Sequence, residues 1–390
     1  MKDARFAISL DELRSKGLYR KRGLLETPQG VKIRVDGRDC INFCSNDYLG
    51  LANHSEVVQG FLEGAKRYGV GSGSAHLICG HSQVHHQLEE ELAEFTGRDR
   101  ALLFSTGYMA NMGVISALMG RRDCVFEDRL NHASLLDGAF LAGTKLKRFP
   151  HRDTGMLDQQ LENSDCAEKM VASDGVFSMD GDLAPLPQLV KKSQDHSALL
   201  VIDDAHGFGV IGEKGGGIIE HFDLGQNDVP VVVGTLGKAF GTFGAFVTGS
   251  EDLIKLLIQK ARPYIYTTAL PPAIAAATRV SLSILRTETW RRDKLSQLVE
   301  YFRQGARALG LNLMQSETPI QPLLIGDSAA AIQASEFLKQ QGLLVAPIRL
   351  PTVPKGSARL RITLSALHEN HDVDRLLEAL DQCKITENCA

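Results

Sequence analysis

Two short apolar runs that each end in polar side chains constrain the fold of this chain most strongly. Leu-Leu-Val-Ile is followed at once by Asp203 and, shortly after, by His206; Val-Pro-Val-Val-Val-Gly is followed by Thr235 and Lys238. Short β-branched runs bounded by glycine are typical of buried strands in a parallel sheet. Because open α/β sheets bind ligands at the carboxyl ends of their strands, we expect these four side chains to meet at such an edge.

These groups are the ones that pyridoxal 5'-phosphate (PLP) requires. A lysine amine forms a Schiff base with its aldehyde, and a carboxylate beside the pyridinium nitrogen keeps the ring able to accept electrons. We therefore expect Lys238 to bind the aldehyde, Asp203 to face the ring nitrogen and His206 to reach the 3-oxygen. Two simpler interpretations stay open: an Asp-Asp pair can cap a helix, and a lysine in a glycine-rich turn is usually solvated.

Two nucleotide-binding motifs that the glycine pattern suggests do not fit this sequence. A phosphate-binding P-loop needs a glycine five residues before its Gly-Lys pair and a serine or threonine directly after the lysine. Val232 and Ala239 occupy those places. The glycine-rich segment 69–80 contains a G-x-G, but no strand precedes it and the third glycine of a dinucleotide motif is misplaced. We interpret this segment as a flexible loop with close backbone approach.

The composition predicts a globular α/β protein that binds neither nucleic acid nor membranes. Of the 390 residues 43% are hydrophobic, and the formal net charge is −4, which gives no electrostatic attraction to polyanions. No uncharged apolar run approaches the roughly 20 residues of a membrane span, and the N-terminus lacks a signal peptide's apolar core. The seven cysteines form no C-x-x-C pair, so we expect reduced thiols, no metal site and a cytoplasmic location.

The hydrophobic patterns divide the chain into an N-terminal segment (1–45), a large domain (46–285) and a smaller α+β domain (286–390). The N-terminal segment carries a surface helix and a β-hairpin that turns at Asp36-Gly37. An amphipathic helix is expected at 83–96, a long charged helix at 290–309 and a further helix at 332–341. Strands are expected at 101–104, 124–126, 169–173, 199–202, 229–234, 245–249, 320–325, 343–348 and 359–364. The strand at 245–249 follows its predecessor too closely for a helical crossover, so we expect it to be antiparallel.

Other residues are candidates for the same site. Gly107 and Tyr108 open a helix after the strand 101–104, where free backbone N–H groups and the helix dipole suit a phosphate. His132 could cap a helix, lie in the core or lie flat on a bound ring. Arg349 and Thr352 lie in a proline-rich turn, where Arg349 could bind a substrate carboxylate in a bidentate pair, although a plain surface arginine is the simpler interpretation.

Short motifs spread over the chain resemble those of the α-oxoamine synthases, a family of fold-type I PLP enzymes. They are Ser-Asn-Asp-Tyr-Leu-Gly (45–50), Ser-Thr-Gly-Tyr-Met-Ala-Asn (105–111), Asn-His-Ala-Ser-Leu (131–135), Gly-Val-Phe-Ser-Met-Asp-Gly-Asp (175–182), Asp-Asp-Ala-His-Gly (203–207), Thr-Leu-Gly-Lys (235–238) and Pro-Thr-Val-Pro (351–354). The resemblance implies a large domain with a mostly parallel central sheet and a smaller α+β domain. It also implies a homodimer whose active site lies at the subunit interface.

Position by position, the resemblance implies roles for individual residues. The implied catalytic residues are Lys238, Asp203, His206 and His132, the last stacking on the cofactor ring. The implied cofactor contacts include these four together with Gly107, Tyr108, Ser178, Thr235 and, from the neighbouring subunit, Thr267 and Thr268. The implied substrate-binding residues are Arg20, Asn46, His132, Arg349 and Thr352.

The implied reaction is the decarboxylative condensation of L-alanine with a pimeloyl thioester, carried on coenzyme A or an acyl carrier protein, as in biotin biosynthesis. Glycine C-acetyltransferase, 5-aminolevulinate synthase and serine palmitoyltransferase share all of the cofactor chemistry. Arg20 and Arg-Leu-Pro-Thr-Val-Pro (349–354) favour the pimeloyl branch, whereas Ile-Cys-Gly (78–80) resembles the acetyltransferase branch. A non-catalytic relative that only binds the cofactor is the alternative of a different class, and the intact Lys238 and Asp203 argue against it.

Overall fold

The computed structural model describes residues 2–15 and 18–383 of the chain. These residues form two compact units: Asn46–Ser296, and the described residues up to Ser45 together with those from Gln297 onward. The sequence predicted a boundary at residue 285 and a separate N-terminal segment. Here the larger unit extends to Ser296, and the N-terminal residues group with the C-terminal ones because their strands pair with each other.

The larger unit is built on a seven-stranded sheet. Its strands in chain order are β3 (Arg100–Phe104), β4 (Cys124–Asp128), β5 (Lys145–Phe149), β6 (Lys169–Asp174), β7 (Leu199–Asp203), β8 (Val231–Thr235) and β9 (Ala245–Gly249). Their spatial order is β3-β9-β8-β7-β6-β4-β5. The four pairings from β8 to β5 are parallel, whereas β9 is antiparallel to both of its neighbours. The predicted α/β fold with a mostly parallel sheet and an antiparallel 245–249 strand is confirmed.

Helices cover this sheet and connect its strands. In chain order they are α2 (Ser55–Tyr68), α3 (Gln83–Thr96), α4 (Gly107–Leu118), α5 (Ala133–Ala142), α6 (Thr154–Glu162), α7 (Leu186–Asp195), α8 (Gly217–His221), α9 (Glu251–Lys260), α10 (Arg262–Ile265) and α11 (Pro272–Thr287). The segment 69–80, expected to be a loop, ends in one turn of π-helix at His76–Gly80. The long helix α12 (Trp290–Ala308) begins in this unit and crosses the boundary between the two units.

The core of the larger unit lies between the sheet and the helices of one face. Every residue of β4, β8 and β9 is buried. Val233 of β8 belongs to one apolar cluster with Val114 of α4, Leu135 of α5 and Leu257 of α9. Each such fully buried side chain contributes roughly 1.5–3 kcal/mol of transfer free energy. The strand ends that carry the predicted site residues are therefore held on a closely packed base.

The smaller unit contains two three-stranded sheets. One joins the predicted hairpin, β1 (Lys32–Val35) and β2 (Arg38–Asn42), to β11 (Leu343–Leu344); the other contains β10 (Ile320–Gly326), β12 (Ala346–Ile348) and β13 (Ala358–Thr363). The helices of this unit are α1 (Lys2–Ser15), α13 (Ser328–Gln340), α14 (Asn370–Gln382) and the later part of α12. The single strand predicted at 343–348 is wrong, because the chain changes sheet at Val345.

Cys124 and Cys166 form a disulfide, with their Cα atoms 5.8 Å apart. The prediction that all of the thiols are reduced is wrong for this pair. Cys124 begins β4 and Cys166 lies just before β6, so the two are close because these strands are neighbours in the sheet. The free thiols of the described residues are Cys40, Cys44, Cys79 and Cys383. Cys389 lies outside the described residues. Over the described part of the chain, no helix is long and apolar enough to cross a membrane.

Candidate active site

A cavity of about 190 Å³ lies in the larger unit, at the ends of β6, β7 and β8. The residues that line it are Gly107, Tyr108, His132, Ser134, Asp174, Val176, Ser178, Asp203, Ala205, His206, Thr235 and Lys238. Eight of the predicted site residues are among them. The structure therefore brings together, from five separate motifs, the side chains that the sequence places at strand and helix ends.

Asp203 forms the floor of this cavity as the last residue of β7. The register pairs it with Asp174 of β6 on one side and with Val233 of β8 on the other. Its Oδ1 accepts a hydrogen bond from the backbone N–H of Ala205 at 3.0 Å, and its Oδ2 accepts one from Asn111 Nδ2 at 2.6 Å. These two donors hold the carboxylate group of Asp203 in one orientation at the end of β7.

His132 is the N-cap residue of α5, and its ring lines the cavity. Its Nδ1 accepts a hydrogen bond from the backbone N–H of Ser134 at 3.4 Å and lies 2.7 Å from the Ser134 hydroxyl. That hydroxyl oxygen in turn accepts a hydrogen bond from Asn111 Nδ2 at 2.8 Å, so its own proton is directed at Nδ1. The hydrogen-bond pattern thus assigns the ring proton of neutral His132 to Nε2.

The neutral form of His132 is also the one that its surroundings favour. Burial lowers the pKa of His132 from its ordinary value; the Asp203 carboxylate opposes this effect and the Lys238 ammonium reinforces it. Through Asn111 and Ser134, His132 is connected to Asp203 by an unbroken series of hydrogen bonds. The orientation of the imidazole and that of the floor carboxylate are therefore set by the same amide group.

The amino end of α4 opens onto the same cavity at Gly107 and Tyr108. Thr106 caps this helix by accepting from the backbone N–H of Met109 at 3.2 Å, and the first intrahelical bond runs from Ala110 N–H. The N–H groups of Gly107 and Tyr108 therefore precede the helical ladder and suit an anion. The Tyr108 hydroxyl donates to Asp137, which raises the pKa of Tyr108.

His206 connects the cavity to the start of the larger unit. Its Nδ1 lies 2.7 Å from the hydroxyl of Tyr48, and the same hydroxyl donates to Asn46 Oδ1 at 3.2 Å. Tyr48 is completely buried, so this contact fixes the His206 ring at one of its two nitrogens. Asn46, expected to contact substrate, is connected to the cavity through Tyr48 and does not line it.

Two further carboxyl groups lie beside or below Asp203. Burial, reinforced by the Asp203 charge, holds the pKa of Asp174 well above its ordinary value. Burial likewise raises the pKa of Asp204, whose Oδ2 accepts from the backbone N–H of Ile218 at 2.7 Å. In both groups the shift favours the protonated form of the carboxyl.

The remaining predicted residues do not line this cavity. Thr267 donates to the Pro263 carbonyl oxygen at 2.6 Å, and Thr268 forms a β-bridge with Ala75. Arg20, Arg349 and Thr352 belong to the smaller unit.

In the smaller unit the turn that carries Arg349 is well defined. Arg349 Nη2 donates to the Tyr19 carbonyl oxygen at 3.3 Å, and the Thr352 N–H donates to the Arg349 carbonyl oxygen at 3.0 Å. The Leu350–Pro351 peptide bond within this turn is cis.

Sequence reasoning assigned no role to Asn111, Ser134 or Tyr48. All three lie within motifs that were recognised, at spacings that would have pointed to them. Asn111 follows Gly107 by one helical turn, so its side chain lies on the same face of α4 as the opening of the cavity. Ser134 is two residues after the N-cap His132, where a hydroxyl can reach the capping side chain.

The family model for "Aminotransferase class I and II" matches residues 38–380. An 8-amino-7-oxononanoate synthase from Pseudomonas savastanoi pv. phaseolicola is 59% identical over 374 residues, which is 96% of this chain and 94% of that protein. The enzyme of the same name from Nitrosococcus oceani is 59% identical over 96% of this chain and 100% of that protein. The chain belongs to the 8-amino-7-oxononanoate synthase family. The resemblance drawn from the short motifs is confirmed.

A solved structure supports the fold and the cofactor of this synthase family. The serine palmitoyltransferase from S. paucimobilis, solved with PLP and myriocin bound, superimposes with a TM-score of 0.92 at 29% identity, covering 98% of this chain and 97% of that one. The 8-amino-7-oxononanoate synthases are PLP-dependent acyltransferases, and the cavity fits this cofactor by the chemistry of its donors. It offers a primary amine, a carboxylate with both oxygens accepting hydrogen bonds, an imidazole ring and unpaired N–H groups at a helix end.

Proposed function

We propose that this chain catalyses the condensation of L-alanine with a pimeloyl thioester, giving 8-amino-7-oxononanoate, CO2 and free thiol. The observation that supports this most directly is the meeting of Lys238, Asp203 and His132 in one cavity. The chain is also 59% identical, over 96% of its length, to proteins named for that product. The proposal includes a place for the enzyme in cytoplasmic biotin biosynthesis and no role in nucleic-acid binding.

Four side chains of the cavity would hold PLP. Lys238 Nζ would bind its aldehyde, Asp203 would hold a proton on the ring nitrogen, and the His132 ring would lie against the pyridine face. His206 would contact the 3-oxygen, supported at Nδ1 by Tyr48. When bound, PLP supplies an electron-deficient ring that accepts the negative charge left when the amino acid loses its Cα proton.

The phosphate would be bound by groups at the edge of the cavity. On this chain these are the backbone N–H groups of Gly107 and Tyr108, with Ser178 and Thr235 nearby. We further propose that Thr267 and Thr268 of a second copy complete the phosphate site, which makes the homodimer a condition for activity. Neither threonine lines the cavity of its own chain, as that proposal requires.

Proton transfers in the reaction are assigned to two groups. Lys238 Nζ would remove the proton from Cα of alanine and later return one, since it is the amine of the cavity. His132 would donate a hydrogen bond from Nε2 to the acyl carbonyl oxygen during carbon–carbon bond formation. The tautomer assigned from Ser134 and Asn111 is the one that this role requires. A neutral imidazole donates without adding a second positive charge beside Lys238.

Substrate recognition is proposed for four polar residues. Arg349 would bind the alanine carboxylate as a bidentate guanidinium pair, with Thr352 in the same turn. Asn46 and Arg20 would contact the acyl substrate. The thioester carrier would be either coenzyme A or an acyl carrier protein, because both present the same thioester bond to the site.

The test is steady-state thiol release from purified, PLP-loaded protein. L-alanine or glycine would be paired with pimeloyl-, acetyl-, succinyl- and palmitoyl-CoA, with Lys238→Ala as the control that retains the fold. Turnover confined to alanine and pimeloyl-CoA, and abolished in the control, is the expected result. Preference for glycine with acetyl-CoA would overturn the substrate assignment and leave an acetyltransferase with the same cavity.

A further inference from the structure

A second cluster of charged side chains, outside the residues that line the cavity, surrounds His151 in the larger unit. His151 Nδ1 lies 3.0 and 3.1 Å from the two carboxylate oxygens of Asp128, and its Nε2 lies 2.9 Å from Asp182 Oδ2. Asp128 ends β4, His151 follows β5, and Asp182 belongs to the segment 175–183 that follows β6. One imidazole thus joins three successive strand ends.

Both nitrogens of this ring face acceptors, so the ring must carry a proton on each. Burial lowers the pKa of His151, but the hydrogen bonds that its ring donates to Asp128 and Asp182 outweigh this effect and raise the pKa to about 9. The other charged groups around it are Asp180, whose carboxylate lies within 4.8 Å, and Arg152, whose Nη1 is 3.3 Å from Asp182 Oδ2. His151 is therefore a cation between carboxylates near neutral pH.

Asp128 and the ring face are held in place independently. Asp128 accepts backbone N–H groups from Leu130 at 2.8 Å and from Arg152 at 2.7 Å, so it is fixed without the imidazole. The ring meets Phe177 edge-on, with centroids 4.4 Å apart at 90°. His151 is therefore anchored on the sheet side and is directed at the segment 175–183.

That segment forms part of the cavity wall. Val176 and Ser178 line the cavity, and the segment folds back on itself through a bridge between Val176 and Leu183. Within the turn, Phe177 N–H donates to the Asp182 carbonyl oxygen at 3.0 Å and Gly181 N–H donates to the Phe177 carbonyl oxygen at 2.8 Å. A displacement of Asp182 would therefore be transmitted directly to Phe177 and its two cavity-lining neighbours.

We propose that His151 is a positioning residue, which as a cation between Asp128 and Asp182 fixes the 175–183 segment and with it the Ser178 side of the cavity. His151 does not touch the cavity itself. Its catalytic consequence rests on the function proposed above, whereas its effect on the segment does not. The two are therefore tested separately.

The first experiment measures hydrogen–deuterium exchange in the apoenzyme, without cofactor or substrate. In His151→Gln, peptides spanning 175–184 should exchange at least tenfold faster, while those of β7 and β8 keep the parent rate. The matched control is His196→Gln, because His196 also bonds a carboxylate, Asp158 Oδ1 at 2.8 Å, at a site outside the cavity lining. Parent-like exchange at 175–184 in His151→Gln would overturn the proposal.

A pH series separates the charge of His151 from its bulk. Raising the pH through 9 in the parent protein should reproduce the faster exchange at 175–184, because loss of one ring proton leaves a nitrogen lone pair facing a carboxylate. His151→Gln should show no such added step once intrinsic exchange is corrected for. A parent segment that stays protected through pH 10 would count against the cation.

The second experiment measures cofactor affinity and kinetics. We expect His151→Gln to weaken PLP binding, followed by visible absorbance, about tenfold and to lower kcat, and His196→Gln to change neither. Adding Asp182→Asn to His151→Gln removes the carboxylate that has lost its imidazole partner, and this change should recover at least half of the lost affinity on a logarithmic scale. If PLP affinity falls together with the melting temperature and Asp182→Asn does not restore it, the role of His151 is only structural, and the proposal is overturned. A parent protein inactive with every thioester would remove the proposed function and leave the exchange result standing.

Discussion

Glu127 lies on β4, the strand beside the edge strand β5, and is completely buried. Neither of its carboxylate oxygens has a hydrogen-bond partner. Burial raises the pKa of Glu127 from 4.5 to about 8, with the nearby Arg148 opposing the change. The folded protein therefore keeps this carboxyl protonated at neutral pH, whereas the unfolded chain ionises it.

The free energy of unfolding that the raised pKa of Glu127 removes grows as the pH rises. Because the folded pKa lies above the unfolded one, Glu127 destabilises the fold progressively as the pH rises from 4.5 to about 8. At 1.36 kcal/mol per pKa unit, the loss in free energy of unfolding is about 1 kcal/mol at pH 5 and about 4 kcal/mol at pH 8. An unfolding entropy of roughly 2.1 cal/mol/K per residue over 390 residues converts the difference into about 4 °C.

We therefore expect the melting-temperature advantage of Glu127→Met over the parent to be about 4 °C larger at pH 8 than at pH 5. Glu127→Gln should lose the same pH dependence while keeping an unpaired polar group, which separates titration from polarity. Glu378→Met, at an exposed position on α14, is the control whose difference from the parent should not change with pH. A Glu127→Met advantage of equal size at both pH values, or none, would show that Glu127 is ionised in the folded protein and would refute the reasoning.

Two further predictions concern the cavity and the turn that follows β7. Asn111→Ala should weaken PLP binding by 10- to 100-fold in an absorbance titration, because a hydrogen bond to a charged group such as Asp203 is worth about 1.5–3 kcal/mol. Parent-like affinity would show that Asp203 needs no support from the amide. Gly207→Ala should lower the melting temperature by several degrees, since its Cβ would collide with the buried carboxyl of Asp204. Gly30→Ala, where no atom lies within 4 Å of the added Cβ, is the matched control.

The parts of the fold that could be predicted are those where one sequence pattern determines both the type of element and its position in the sheet. A buried strand followed at once by a polar residue gave the positions of Asp203 and Thr235, because the parallel register aligns such ends. The edge strand β5 was missed because Lys145-Leu-Lys-Arg-Phe carries charges over most of its length. With one neighbour in the sheet it needs only its last residue, Phe149, fully buried.

Other misses arise where a local signal has two structural meanings. A pair such as Pro271-Pro272 commonly marks a break in the chain, yet here it begins α11, since proline is well suited to the first turn of a helix. The apolar run 343–348 fits one strand by pattern, yet the chain divides it between β11 and β12. Cys124 and Cys166 belong to no spacing motif, and their proximity follows from the pairing of β4 with β6.

The site itself illustrates what a linear pattern leaves undetermined. From the sequence, His132 could be a cap, a core residue or a ring against the cofactor. In the structure it caps α5, and its ring lines the cavity. The cap is what fixes its chemistry, because the Ser134 N–H and hydroxyl occupy Nδ1 and leave the proton on Nε2. Asn111 donates hydrogen bonds to both Ser134 and Asp203. It reaches Ser134, 23 residues away in the sequence, because α4 and α5 pack together. Residue identity could thus nominate a histidine for the site, but only tertiary contact assigns its tautomer and couples it to the floor carboxylate.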